Sequence, residues 1–280
     1  MVVYAAQDQV YAEPILRQFT KEASIKVRAV YDSEAVKTVG LANRLMAERS
    51  RPQCDVFWGN EELRTRQLAA QEVFRETNGW AAFGYRSRRV AVRPPADARP
   101  PQSLRALTNA AWRGRVSLAY PLFGTTATHF LALRQHWGAS PWETWCRALA
   151  ANQPFLEEGN SLVVKRLARG EAWLGLTDSD DLGAARREQL QAGTPLPLNA
   201  ESLLIPNTVA VIRGAPHTEA AQKLFEFLQR REVVAQLVAS GALEGVDPRE
   251  VQSPTLQPDW DALLRDLDIA TARLKEIFLR

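Results

Sequence analysis

The chain is predicted to be an α/β protein of two lobes, with mixed, mostly parallel sheets flanked by helices. Three observations carry that reading. The first 62 residues alternate β-α-β-α-β, an order that a parallel sheet with right-handed crossovers satisfies. Two long extended segments, AAFGYRSRRVAVR at 81–93 and LLIPNTVAVIR at 203–213, stand apart from that rhythm and suit hinge strands. At 280 residues, 46% of them hydrophobic and 24% charged, the chain is globular and long enough for two cores. The predicted layout places residues 1–90 and 214–280 in lobe I and residues 91–213 in lobe II.

Each element has a local signature. Residues 2–6, VVYAA, form an apolar strand that ends in a polar turn at Asp8. Tyr11, Ile15 and Phe19 then recur four apart on an amphipathic helix, with Pro14 expected in its first turn. Residues 25–31 alternate as a strand, and residues 34–50 read as a helix with Val36, Val39 and Leu45 inward. CDVFW at 54–58 is a buried strand that runs into Asn60, Glu61 and Glu62. RPPADARPPQ at 93–102 admits no regular element. Beyond it come a strand at 116–119, a helix after Gly124, Thr125 and Thr126, and a helix at 141–151. Residues 216–240 and 258–280 are helical by their apolar spacing.

Residues 159–181, GNSLVVKRLARGEAWLGLTDSDD, carry the most chemistry. Leu162, Val163 and Leu167 repeat at helical spacing, and Gly170 suits the left-handed residue that ends such a helix. A short buried strand at 172–176 follows, then Asp178, Asp180 and Asp181. In open α/β sheets, ligands bind beyond the carboxyl ends of the strands, where these acids are expected. Clustered oxygen donors suit a hard cation, or an organic cation stacked on one of the eight tryptophans. The same acids also suit the first turn of a helix. Gly124-Thr125-Thr126 offers backbone N–H groups and hydroxyls for an anion, or plain capping by threonine.

Other classes find little support. The charges sum to a mild net +3 and are scattered, and short runs such as RSRR at 86–89 read as solvated faces, so no nucleic-acid partner is expected. Cys54 and Cys146 have no metal or disulfide spacing and read as buried small hydrophobes. The three histidines are not grouped as ligands. Asp178-Ser179-Asp180 superficially matches the D-x-D loop of aspartyl-phosphate phosphatases, but it comes late in the chain and Asp181-Leu182 follow it. No apolar stretch is long enough to cross a membrane, and Met1 leads straight into a strand.

Five blocks in order resemble the solute-binding proteins of ABC importers, extracellular solute-binding family 1, and most of all its ferric-iron-binding branch. They are YAAQDQVYAEPILRQFTKEASIKVRAVY, PQCDVFWGNEELRTRQLA, SLRALTNAAWRGRVSLAYP, GNSLVVKRLARGEAWLGLTDSDD and LLIPNTVAVI. The resemblance implies a two-lobed periplasmic-binding-protein type II fold that closes on its ligand by hinge motion. It further implies a monomeric, non-catalytic receptor without a resident cofactor, partnered with a permease. Its location would be periplasmic or extracellular, after removal of a leader. The transported ligand would be Fe(III) or another hard cation with a synergistic anion. A small organic or phosphorus-containing solute is the alternative, and an aspartate-dependent phosphohydrolase a more distant one.

By the same resemblance Asp8 and Glu61 (Glu62 if the register slips) would be metal ligands beside Asn60. Gly124, Thr125, Thr126 and Asn160 would hold the anion. Where the ferric binders carry two adjacent tyrosines, this chain has Asp178-Ser179-Asp180-Asp181. Carboxylates are hard donors that ionise freely, whereas a tyrosine must first lose its proton, so an all-carboxylate site is less selective for ferric iron.

Overall fold

The computed structural model describes residues 1–31, 37–96 and 98–279, and divides into two compact units. Unit 1 comprises Met1–Arg86 and Ile205–Glu250; unit 2 comprises Ser87–Leu204 and Val251–Arg280. Residues 34–36 of the expected second helix, and the side chain of Val39, lie outside what is described.

In unit 1, β1 (Val2–Ala5) lies between β2 (Arg28–Tyr31) and β3 (Val56–Gly59), parallel to both. Strand β9 (Leu204–Val211) runs antiparallel along β3, with Gly59 opposite Thr208. A Cβ at Gly59 would lie 2.3 Å from the Thr208 hydroxyl and 2.9 Å from that of Thr65, so only glycine lets these elements meet. One sheet face packs against α1 (Gln9–Ala23), α8 (Thr218–Leu228) and α9 (Arg231–Ser240) through Phe19, Trp58, Leu224 and Phe227. The other face covers Tyr4, Phe57 and Phe74 with α2 (Lys37–Ala47) and α3 (Glu62–Ala70). Pro14 sits inside α1, beyond the first turn where it was expected, and the helix continues through it.

In unit 2, β5 (Val116–Ala119) pairs in parallel with β6 (Phe155–Glu157) and β7 (Leu174–Asp178). The latter half of β4 (Trp80–Val92) lies antiparallel to β7, with Arg88 opposite Asp178. A two-residue strand, β8 (Thr194–Pro195), adds to β4. Three helices begin beyond the carboxyl ends of the three parallel strands: α4 (Gly124–Trp137) after β5, α6 (Asn160–Ala168) after β6 and α7 (Ser179–Arg187) after β7. Helix α6 ends as its sequence predicts, with Gly170 at φ +74° donating its N–H to Leu167. It also lies tight on β7, because a Cβ at Gly175 would come within 2.6 Å of Leu167 and 2.9 Å of Val163.

The C-terminal segment corrects the predicted layout. Residues 251–280 belong to unit 2 and not to lobe I. The reason is its apolar stripe: on α10 (Trp260–Phe278), Phe278 meets Phe130 of α4 edge-on at 6.1 Å. Asp266 pairs with Arg134 of α4, and Glu276 with Arg147 of α5 (Ala139–Ala151). Those partners fit a helix that continues the α4–α5 layer. Between 214 and 250 the chain is in unit 1, and the change of unit falls at the Pro- and Gln-containing stretch VQSPTLQPD, 251–259.

Candidate functional site

At the carboxyl edge of unit 2, side chains from the starts of α4 and α6 turn toward one carboxylate, which itself precedes α7. Asp178, the last residue of β7, is 2% exposed. Its Oδ1 accepts from Arg88 Nη1 at 2.6 Å. Its Oδ2 accepts from the Thr125 hydroxyl at 2.8 Å and from Asn160 Nδ2 at 3.3 Å. The same Arg88 nitrogen donates to Asn160 Oδ1 at 3.0 Å, and Nη2 donates to the Leu176 carbonyl at 3.3 Å. The Arg88 side chain is fully buried. A guanidinium without water requires such a ring of acceptors.

Arg88 is absent from the residues the sequence pointed to, and RSRR is a correction. Arg86 and Arg88 are 2% and 1% exposed, not solvated. Spaced two apart on a strand, they project to the same side. Each finds acceptors at a strand end: Arg86 donates to the Asn60 carbonyl at 2.7 Å and to Asn207 Oδ1 at 3.2 Å. The signal that could have found them is that even spacing inside the apolar segment AAFGYRSRRVAVR.

The threonine turn is also more specific than simple capping. Gly124 opens α4 at φ +54°, and the residue before the helix makes no side-chain cap. Thr125 gives its hydroxyl to Asp178, while Thr126 is 1% exposed within the same turn. Asn160 is the first residue of α6, one step inside the helix rather than in a turn before it. Thr125, Asn160 and Asp178 are therefore brought together, with Arg88 as their common partner.

Asp180 and Asp181 occupy the first turn of α7, where the helix dipole favours negative charge. Asp178, Asp180 and Asp181 each present an oxygen, and these atoms lie within 4.8 Å of one another. Ser179 accepts from the Ser87 N–H at 3.1 Å, which pins the loop to β4. Three carboxylates thus stand together in this loop, one of them paired with the buried Arg88 guanidinium.

The other predicted residues lie in unit 1, at the carboxyl ends of β1 and β3. Asp8 precedes α1, half-buried, and its carbonyl accepts from Tyr11 and Ala12. Glu61 is 1% exposed and caps α3, its two oxygens accepting from Leu63 N at 2.8 Å and Arg64 N at 2.9 Å. Glu62 pairs with Arg66 at 2.7 Å, and burial holds its carboxyl above the usual range. Asn60 is buried, and its carbonyl is bound by Arg86. Glu61 thus starts a helix, each of its oxygens accepting one backbone N–H. Gln7, in the polar turn that ends at Asp8, accepts from Asn207 Nδ2 at 2.8 Å.

Near Arg88, His129 of α4 is 1% exposed, with Nε2 donating to the Glu201 carbonyl at 2.7 Å. Burial, and the positive charge of Arg88, push the imidazole down to about 3. Both groups line a cavity of about 20 Å³. Cys54 and Cys146 are buried, as expected, and burial raises both thiols. Tyr11 is packed in the core of unit 1.

A family model described as bacterial extracellular solute-binding protein matches residues 1–242. The chain belongs to this family. Among solved structures, it is similar to iron-bound HitA from Pseudomonas aeruginosa, at TM-score 0.79 and 18% identity, covering 99% of this chain and 98% of the other. The ferric binding protein from Campylobacter jejuni superposes at TM-score 0.83 and 14% identity, with 99% of each chain covered. AfuA from Actinobacillus pleuropneumoniae, with exogenous fructose-6-phosphate bound, does so at TM-score 0.81 and 18% identity, covering 100% of this chain and 98% of that one. The fold is therefore that of type II periplasmic binding proteins. No curated protein matches the sequence. Among the described residues no helix is long and apolar enough to cross a membrane.

Proposed function

We propose that this extracellular solute-binding protein is the receptor of an ABC importer for a hard metal cation, held by the acidic loop after β7. The observation that carries the reading is the convergence of oxygens from Asp178, Asp180 and Asp181 within 4.8 Å. Hard cations take several oxygen ligands, and this loop presents three carboxylates, one of them paired with Arg88. The iron-bound and ferric-binding neighbours of the same fold support a metal as cargo. Asp180 and Asp181 are the principal ligands in this proposal, and Asp178 fixes the loop against the sheet. Glu61 and Asp8 are not required by it.

The receptor acts as a monomer, delivers its cargo to a permease and catalyses nothing. Asp178, with hydrogen bonds on both oxygens, is a poor nucleophile, which favours a receptor over the phosphohydrolase alternative. A second reading, a phosphorylated small solute, draws on the N-termini of α4, α6 and α7, which follow the parallel strands of unit 2, and on the sugar-phosphate complex among its structural neighbours. A thermal-shift panel separates the two. Ferric citrate, Ga(III) and Ca²⁺ should raise the melting temperature under the metal reading, and sugar phosphates should raise it under the other.

A further inference from the structure

We propose that Asp178 takes the place of a bound anion, so that this receptor accepts its cargo without a synergistic anion and turns away small oxyanions. The proposal rests on the receptor reading above and deepens it. The turn that the sequence offers to an anion is the start of α4, at Thr125, and the family resemblance adds Asn160 at the start of α6. In the structure those side chains already bind a carboxylate, and it comes from the chain itself. Thr125 Oγ1 and Asn160 Nδ2 converge on Asp178 Oδ2 at 2.8 and 3.3 Å, while Arg88 supplies the balancing charge on Oδ1 at 2.6 Å. A hydroxyl and an amide N–H at helix starts, with a guanidinium from the adjoining strand, are the donors that a phosphate or carbonate would use.

The backbone fixes this arrangement. Arg88 and Asp178 are register partners across β4 and β7, so the carboxylate is carried to the donors by strand pairing rather than by a mobile loop. The Arg88 side chain is fully buried and that of Asp178 is 3% exposed, so neither charge is screened by solvent. A second anion at the same donors would meet the Asp178 carboxylate in a region of low dielectric, where like charges repel strongly.

The test is a metal-free titration, run with chelator, so that it is independent of whether the acidic loop takes a cation. Inorganic phosphate and formate are titrated into the wild type and into Asp178→Ala, with melting temperature and calorimetry as readouts. The wild type should show no saturable response. Asp178→Ala should melt lower, recover with either anion, and bind phosphate at least about tenfold more tightly than the wild type. Adding Arg88→Met to that variant should abolish the recovery. Asp178→Ser takes the same titration if the alanine variant is insoluble. Saturable phosphate binding by the wild type, lost in Thr125→Val, would overturn the proposal, and so would a folded Asp178→Ala or Asp178→Ser protein that ignores both anions.

Discussion

Arg88 and Asp178 stand opposite each other in the β4–β7 register, and their side chains, fully buried and 3% exposed, form an ion pair at 2.6 Å. Such a pair contributes little beyond an apolar pair of equal size, but removing one member leaves an uncompensated buried charge. Arg88→Met should therefore lower unfolding free energy by about 3–5 kcal/mol, and Arg88→Met with Asp178→Leu should recover most of it. Urea denaturation of the two variants measures this. Equal losses in both would mean that the pair contributes more than charge balance.

The imidazole of His129 gives stability a pH dependence whose sign follows from its neutral burial. With its pKa pushed down to about 3 in the fold, against about 6.5 when unfolded, the unfolded chain binds the extra proton between those values. The contribution is complete above pH 6.5 and is lost as pH falls toward 3. From pH 6.5 to 5 the loss should be about 2 kcal/mol, at about 1.4 kcal/mol per unit. His129→Gln should flatten that part of the curve, which unfolding midpoints at pH 5, 6 and 7 would reveal.

Much of this fold was legible because its signals are local. The β-α-β-α-β rhythm of the first 62 residues, the end of α6 at Gly170 and the turn at Thr125 each follow from residues close in sequence. The pairing of Arg88 with Asp178 spans 90 positions and depends on strand register, which no local pattern encodes. For the same reason RSRR read as a solvated run. The placement of α10 was hidden because its stripe of Leu263, Leu267, Leu274 and Phe278 shows that a face is buried but not which unit buries it. Glu61 was correctly placed at a strand end, yet nothing in the sequence showed that both its oxygens would be spent on α3.

Glu61 accordingly behaves as a cap. Glu61→Ala removes the acceptor for Leu63 N and Arg64 N, and should cost about 0.5–2 kcal/mol of stability. Cation affinity should change little. A large loss of affinity with unchanged melting would return Glu61 to the ligand set.

Gly175 sets how closely α6, and with it Asn160, lies on the sheet. A methyl group there would meet Leu167 at 2.6 Å and Val163 at 2.9 Å. Gly175→Ala should overpack this contact at a cost of about 1–3 kcal/mol. Adding Leu167→Ala should relieve part of that cost. Strict additivity of the two changes would show that the contact is not shared.

The central claim is that the loop after β7 receives a hard cation through Asp180 and Asp181. Calorimetric titration of Fe(III), supplied with a weak chelator, into the wild type and into the double variant Asp180→Asn, Asp181→Asn tests it directly. The account predicts saturable one-site binding by the wild type. At a hundredfold excess over Kd this should add about 2.7 kcal/mol of stability. In the double variant, with its melting otherwise intact, the binding should be gone. Equal binding by both proteins, or a wild type that ignores cations and binds a sugar phosphate, would contradict it.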